Sequence, residues 1–477
     1  MKRDSTKKIE VLLIEPPPTN RFGNLRTLGS IGTLKTDMRW PPLDLMIIAG
    51  LLRKYDIDSK IFDANSLRAT LGDIKEIVEE EKPRLVIFTT STPTFYQDLR
   101  IVDVTKQVSP DILTAVTSTH VNALPAQALE LNKNLDFAVP NDSESSFIEL
   151  IRADYNPENI QGISWRRNGQ IFRNSPRRKG VNLDELGFPA HDLLPLEIYR
   201  DPFTRKRPIT VTYASRGCIN YPPCIMCSAH FYNQARYRSV EILLKEMHWM
   251  KELGIKEIRF PFESGFNELT IANDLFERMI KEKINLKFTC NGRADRLPLE
   301  LLKKMKEAGC MAVNVGCESA DEKVSQFMNK KVRLEQVREA VENIRKVGMD
   351  ALVYFLFGLP FETKESMRKT LEFAKTLNAD LVTFGIAIPH PGTSFYEYLK
   401  NKGYILTEQW DKYDPMLPPP YSYPDLSSEE IYEFARKAYR SYYLRPGFIL
   451  KRFMKFNLKE EFNNFLGFVK RYVYRYG

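Results

Sequence analysis

From Ile9 to Asp154 the apolar positions come in short runs, with helical stretches between them. "IEVLLIEPP" is an apolar run ended by prolines, and it predicts a buried strand. "PPLDLMIIAGLLRKY" repeats its apolar residues at helical spacing behind a proline, so it predicts a helix. "SKIFDAN", "RLVIFTTSTP", "ILTAVTSTH" and "LDFAVPN" predict further strands, with helical segments such as "LGDIKEIVEEEK" before them. This alternation predicts a parallel, doubly wound sheet. Ligands of such sheets sit beyond the C-terminal ends of the strands. Here those ends are Glu15–Thr19, Thr90–Thr94, Thr117–His120 and Asn141–Glu144.

The pattern then changes. "GISWRRNGQIFRNSPRR" predicts a hairpin turning at Asn168-Gly169. "LDELGFPAHDLLPLEIYRDP" is irregular and proline-containing, and marks a domain boundary. From Pro208 the alternation resumes. "ITVTYAS", "EIRFPF", "LKFTCNG", "MAVNVGC", "ALVYFLFG" and "LVTFGIAIP" predict six strands, separated by amphipathic helices such as "LEQVREAVENIRKVG". Six βα units are too few for an eightfold barrel and enough for a partial one. After Thr393 the chain reads as helical and aromatic-rich. The expected organisation is an α/β domain over 1–154, a hairpin and linker over 155–205, a partial (β/α)6 barrel over 206–405 and a helical region over 406–477.

Composition narrows the class. The chain has 477 residues, room for two or three domains, and 27% are charged. No apolar run approaches a membrane span, and the apolar stretch in "MKRDSTKKIEVLLIEPPP" is too short for a signal peptide. A cytoplasmic protein is expected. Six cysteines make no disulfide framework, so reduced thiols are expected. The formal charge is +9. A lysine-rich solvated surface accounts for it, and attraction to nucleic acid or an anionic membrane are the sharper readings. From Gly447 to the end, seven Lys or Arg face two acids, with nine aromatics between them. A basic amphipathic helix of that kind suits an anionic lipid surface, so 447–477 is a candidate contact to the inner membrane face, against the plainer reading of a helix packed on the barrel.

The strongest chemical signal is "TYASRGCINYPPCIMCSAH", with Cys218, Cys224 and Cys227 in ten residues just after the first strand of the second domain. Barrels of this kind place their chemistry on that rim. One reading is an iron–sulfur cluster held by three thiolates, with one iron left open. Another is a zinc site completed by His230, in a protein that binds nucleic acid. Spacing alone leaves both standing. Cys290, Cys310 and Cys317 read as buried small apolar residues, with an active-site role as the second reading for Cys317, which lies beside Glu318 at the expected rim.

Context separates the two. The cysteine loop opens a run of six βα units, and "SRGC", "CNGRADRLPLELLKKMKEAGC", "VNVGCESAD", "YFLFGLPFET", "PHPGTSFYEYL" and "YYLRP" follow in order. Together these resemble the radical S-adenosylmethionine (SAM) superfamily, in the branch with an N-terminal cobalamin-binding-type domain. The resemblance implies a [4Fe-4S] cluster on Cys218, Cys224 and Cys227, whose open iron chelates SAM. It implies the SAM amino group near Glu263, Ser264 and Gly265. It places the carboxylate and ribose near Arg293, Glu318 and Ser319, and the adenine near Gly358. It also implies a reductant protein such as a ferredoxin or flavodoxin, and no nucleic-acid partner. A methylthiotransferase would need cysteines in the N-terminal domain, and none precedes Cys218.

The chain departs from its relatives in two places. The loop is Cys-x5-Cys-x2-Cys where the usual first gap is three, and the insert holds Tyr221-Pro222-Pro223. The family's Gly-Gly and Gly-Glu-Gly-Glu are replaced by Thr117-Ser118 and Asn141-Asp142-Ser143-Glu144. His120 stands where the family often has a histidine and reads as a loop residue. The N-terminal domain then either binds cobalamin, implying methylation of an unactivated carbon, or serves as a cover over the barrel. In the second case cyclisation, carbon–carbon bond formation or rearrangement is expected. Because several relatives modify isoprenoids or membrane lipids, a lipid or isoprenoid is the expected substrate, with tetraether ring formation or hopanoid modification as instances.

Overall fold

A computed structural model describes residues 8–26, 32–34, 38–177, 180–201, 204–232, 234–261 and 266–455. In chain order the strands are β1 (Val11–Glu15), β2 (Asn24–Leu25), β3 (Gly32–Thr33), β4 (Ser59–Asp63), β5 (Leu85–Thr89), β6 (Leu113–Ser118), β7 (Phe137–Pro140), β8 (Ser164–Arg167) and β9 (Gln170–Arg173). There follow β10 (Ile209–Val211), β11 (Ser215–Arg216), β12 (Arg236–Tyr237), β13 (Glu257–Phe260), β14 (Lys287–Gly292), β15 (Cys310–Glu318), β16 (Asp350–Phe357) and β17 (Leu381–Ile386).

The first sheet has the order β4-β1-β5-β6-β7-β8-β9. It is parallel as far as β7. β1 is apolar from Val11 to Ile14 because both faces of the sheet are covered. Leu12 and Ile14 join one core and Val11 and Leu13 the other, the period of two that a strand imposes. The helix Leu43–Lys54 covers one face, and Leu43 through Leu52 are all buried. A β-carbon on Gly50 would stand 1.9 Å from the Phe188 carbonyl oxygen, so glycine lets the linker run directly against this helix.

The hairpin belongs to this sheet. β8 pairs antiparallel with β7, and β9 with β8. Asn168 and Gly169 take φ of 50° and 78°, the left-handed pair a tight two-residue turn requires. Trp165 is buried and stacks on Phe172 at 4.5 Å, which ties the hairpin down. The break in pattern near residue 155 therefore marks a change of strand direction before it marks a domain boundary.

The second sheet is wholly parallel, in the order β10-β13-β14-β15-β16-β17. It is the six-unit partial barrel expected from the sequence. Helices Val240–Glu252, Leu269–Lys281, Leu299–Glu307, Leu334–Lys346 and Lys364–Thr376 cover its outer face. Ser239 and Thr363 cap the first and last of these through side-chain oxygens.

The C-terminal region is only partly helical. Residues 404–427 form an irregular, aromatic-rich strap, followed by helices Ser428–Tyr443 and Pro446–Lys455. Trp410 in the strap donates to Gln127 of the first domain at 2.7 Å. The hydroxyl of Tyr443 accepts from Val382 N at 3.0 Å and donates to Val382 O at 2.6 Å, capping the outer edge of β17. Most of the proposed membrane-contact segment, 456–477, lies outside the described residues. Among those described, no helix is long and apolar enough to cross a membrane.

Candidate functional site

The cysteine loop leaves the barrel at the C-terminal end of β10. Its neck is a short antiparallel pair, with Ser215 opposite Tyr237 and Arg216 opposite Arg236. Gly217 has φ of 82°, and a β-carbon there would come within 2.7 Å of the Gln234 carbonyl. Only glycine lets the neck close so tightly. Cys218, Cys224 and Cys227 follow, all partly exposed and none in a disulfide.

The loop offers hydrogen bonds to its sulfurs. Asn220 N–H lies 3.4 Å from Cys218 Sγ, Ala229 N–H 3.4 Å from Cys227 Sγ, and the Asn220 amide 3.5 Å from Cys224 Sγ. Such donors stabilise thiolates in iron–sulfur sites. Burial pushes the Cys227 thiol up to about 12, so a metal is needed to displace its proton. Among the described residues, no group of three His, Cys, Asp or Glu could hold a single metal ion. A cubane asks less of them, because each thiolate binds its own iron. The three thiols therefore fit the cluster. The His230 side chain lies outside the described residues.

The two extra residues of the first gap now have a partner. Lys331 Nζ donates to Tyr221 O at 3.0 Å, and the Asn329 amide donates to Pro222 O. In return Asn220 donates to Asn329 O at 2.7 Å, and Ile225 N–H to Met328 O at 3.2 Å. The insert reaches across to the segment that follows β15 and is clamped there. Asn329 and Lys331 take φ of 58° and 55° to present these groups.

Beneath that clamp lies a charged rim. Lys330 Nζ is 2.8 Å from Glu318 Oε1, and both side chains are largely buried. A β-carbon on Gly316 would fall 2.5 Å from Glu318 Oε1 and 2.7 Å from Lys330 Nζ, so glycine makes room for the pair. Arg293 binds Asp295 at 3.0 Å and Lys330 O at 3.3 Å. Lys330, Glu318 and Arg293 all act electrostatically on the Cys224 thiol, as does Cys218, so these groups share one site. Asn267 accepts from Arg293 N–H at 3.1 Å, while its own buried amide nitrogen has no acceptor. An unsatisfied buried donor on a rim of two carboxylates and two cations fits a zwitterionic, ribose-bearing ligand such as SAM.

Two of the residues expected near SAM are engaged within the fold. Ser319 is buried and engages Thr370 Oγ1 and Asp321 N–H, in the packing of helix Lys364–Thr376. Gly358 is buried under the strap, where its carbonyl accepts from Tyr421 and Tyr423 at 2.8 and 2.9 Å. Glu263, Ser264 and Gly265 lie outside the described residues. Lys330, Asn267 and the Asn329 clamp carry no sequence signal. Each matters only through where the fold brings it.

The rim of the first sheet faces the neck of the loop. Arg216 reaches Glu144 at 2.7 Å and Asp142 at 3.1 Å, and Arg236 reaches Asp142 at 2.6 Å. Burial alone would raise the Glu144 carboxyl, but Arg216 more than offsets it and holds it below the ordinary range. Beside these residues is a cleft of about 180 Å³ whose lining includes Asn122, Asn141, Ser143 and Phe231. Hydroxyl and amide groups of this kind, with Thr117 behind them, suit the carboxamide fringe of a corrin. At the switch point between β1 and β5 the crevice is filled instead by Arg26, which pairs with Asp98 at 2.8 Å and Glu15 at 3.4 Å.

His120 is not a loop residue. It lies in the short helix Thr119–Ala123, buried against Phe95 and Trp410. Its ring nitrogens meet Thr92 and Gln127, each at 3.2 Å, and burial holds it down to about 3. It is a neutral core histidine, and both nitrogens are engaged.

Comparison with known proteins bears on the class and the fold. The radical SAM superfamily profile matches residues 212–374, and the B12 binding domain profile matches residues 29–151. An uncharacterized methyltransferase of Pyrococcus horikoshii is 32% identical over 452 residues, 93% of this chain and 95% of its own. Cytidylyl-2-hydroxyethylphosphonate methyltransferase of Streptomyces wedmorensis is 26% identical, over 82% of this chain and 84% of its own. Anaerobic magnesium-protoporphyrin IX monomethyl ester cyclase of Rubrivivax gelatinosus is 25% identical, over 87% and 76%. Among solved structures, the radical SAM methyltransferase TsrM of Kitasatospora setae superposes with a TM-score of 0.66 at 16% identity, covering 89% of this chain and 82% of its own.

Proposed function

The chain belongs to the radical SAM superfamily, in the branch that carries a B12 binding domain ahead of the barrel, and from that premise we propose that it methylates an unactivated carbon. Its cofactors are a [4Fe-4S] cluster, SAM and cobalamin. When bound, they supply radical chemistry and a methyl carrier. The observation that carries the reading is the apposition of the two rims: Asn141–Glu144 of the B12-type domain lies directly against the neck of the cysteine loop. Cofactors held on these two rims would bring radical chemistry and a methyl carrier to one domain interface.

The residues have distinct tasks. Cys218, Cys224 and Cys227 hold the cluster. Glu318, Arg293, Lys330 and the free amide of Asn267 orient SAM at its edge. Asn122, Asn141 and Ser143 face the corrin fringe. Met328, Asn329 and Lys331 keep the cysteine loop closed against water. The chemistry calls for a one-electron reductant.

Methylation, the outcome expected if the N-terminal domain binds cobalamin, is favoured over cyclisation, and the relatives give no support to a lipid substrate. No relative named above is a lipid enzyme, and two are methyltransferases across most of both chains. Ring formation is the second reading, because one relative of similar coverage is a cyclase.

The test is anaerobic reconstitution with iron, sulfide and hydroxocobalamin. The expected result is about four irons and one cobalt per chain, and label from methyl-deuterated SAM in a carbon-bound product. The triple Cys→Ala variant should lose iron and keep cobalt. Full SAM cleavage by protein that binds no cobalt would overturn methylation.

A further inference from the structure

The neck of the cysteine loop is held from the other domain. The two carboxylate oxygens of Asp142 are divided between its strands, Oδ1 to Arg216 of β11 and Oδ2 to Arg236 of β12. Glu144 adds a second anchor on Arg216 at 2.7 Å. Arg236 is further tied to Val181 O at 2.6 Å. Arg216 lies two residues before Cys218 and is 4% exposed at its side chain. We propose that Asp142 and Glu144 are positioning residues that set the attitude of the three cluster thiolates from across the domain boundary.

Three features favour positioning over simple adhesion. First, Asp142 spans both strands, so it fixes their register and not merely their distance. It holds φ of 70°, a left-handed conformation that costs free energy outside glycine and persists where surroundings enforce it. Second, the network is unfinished. Glu144 Oε2, Tyr213 Oη and Ser215 Oγ are buried without hydrogen-bond partners around it. Arg216 also lies over the rings of Tyr213 and Tyr232, at 5.6 and 6.0 Å. Buried polar groups left unpaired are costly, so stability alone does not select this arrangement. Third, Asn141 and Asp142 line the 180 Å³ cleft on the other side of the same backbone. A ligand in that cleft and the cluster loop therefore bear on one short segment. The inference rests on the cluster and not on the methylation reading.

Asp142→Asn and Glu144→Gln keep shape and remove charge. In reconstituted protein each should retain the iron and sulfide of wild type. The response of the reduced cluster's electron paramagnetic resonance spectrum to SAM should be altered. SAM cleavage should fall about tenfold or more, the scale of a small misplacement. In cluster-free protein, the amides of Ser215–Gly217 and Arg236–Arg238 should exchange faster in Asp142→Asn. The double variant with Arg236→Met should lose less than the sum of the two single losses, because the two substitutions share one interaction. Arg236→Lys should recover part of the loss seen in Arg236→Met. Should Asp142→Asn fail to fold, the Arg236 pair gives the same reading. Spectra and SAM response matching wild type, in variants that only melt earlier, would overturn the proposal. Wild type without iron and sulfide would overturn it together with the cluster, whereas a full cluster with unresponsive variants overturns it alone.

Discussion

Single residues here are decided by their surroundings more than by their type. Glu362 is buried and accepts from Gly358 N–H at 2.5 Å and Leu359 N–H at 3.1 Å, while its other oxygen has no partner. Burial raises its carboxyl from 4.5 to about 8, against the pull of those two donors. An acid raised in the fold stabilises fully below pH 4.5, and its contribution is lost as pH climbs through 8. Glu362→Gln should therefore flatten the fall in melting temperature between pH 5 and 8. Glu15, also raised to about 8, keeps part of the slope. A variant whose melting temperature follows wild type at every pH would count against this. Gly358 makes a sharper case. Its φ is 85°, and a β-carbon would meet Tyr421 Oη at 2.3 Å. Gly358→Ala should cost about 3 kcal/mol, read by chemical unfolding. The three cysteines stood out because they lie within ten residues of a cysteine-poor chain, and the βα units behind them chose between the readings. Lys330 and Asn267 did not, because nothing in "MNKK" or "GFNE" says which rim it will join.

At the scale of elements, apolar runs were enough to find the central strands of both sheets; β1 and β5, for example, are buried along their whole length and carry few polar residues. The Asn168-Gly169 turn was legible for the same local reason. The strap over 404–427 was not. Its aromatic residues, Trp410, Tyr413 and Tyr421 among them, pack onto surfaces already formed and follow no period of their own. The cysteine loop lies between these cases: its candidate thiols were evident, but the reason for its length was not. That reason is a docking partner more than a hundred residues further along the chain. Asn329→Ala should leave the iron content intact and open the loop to solvent. The visible absorbance of the reconstituted cluster should then bleach several-fold faster in air than in wild type. An unchanged rate would separate the clamp from any shielding role.

Across the whole molecule, two of the contacts that join the two sheets differ in character. One is the ionic contact of Asp142 and Glu144 with the loop neck. The other is the strap, where Trp410 packs edge-on to His120 at 5.3 Å and donates to Gln127. Trp410→Ala should cost about 3–5 kcal/mol, the range for a buried aromatic, and split a single unfolding transition into two. A single cooperative transition at unchanged midpoint would show that the strap is not a fastener. Neither joint could be read from sequence, because both depend on which faces the domains present to each other. The seal on β17 has a further consequence, in time rather than in space. A parallel sheet that does not close on itself leaves its last strand with free backbone groups, which invite pairing with other chains. On the ribosome, Leu381–Ile386 emerges well before Tyr443, the residue whose hydroxyl satisfies Val382. For that interval the nascent chain carries an unfinished edge, and a truncation ahead of Ser428 makes the interval permanent. Such a chain should aggregate during synthesis even with every cofactor ligand in place.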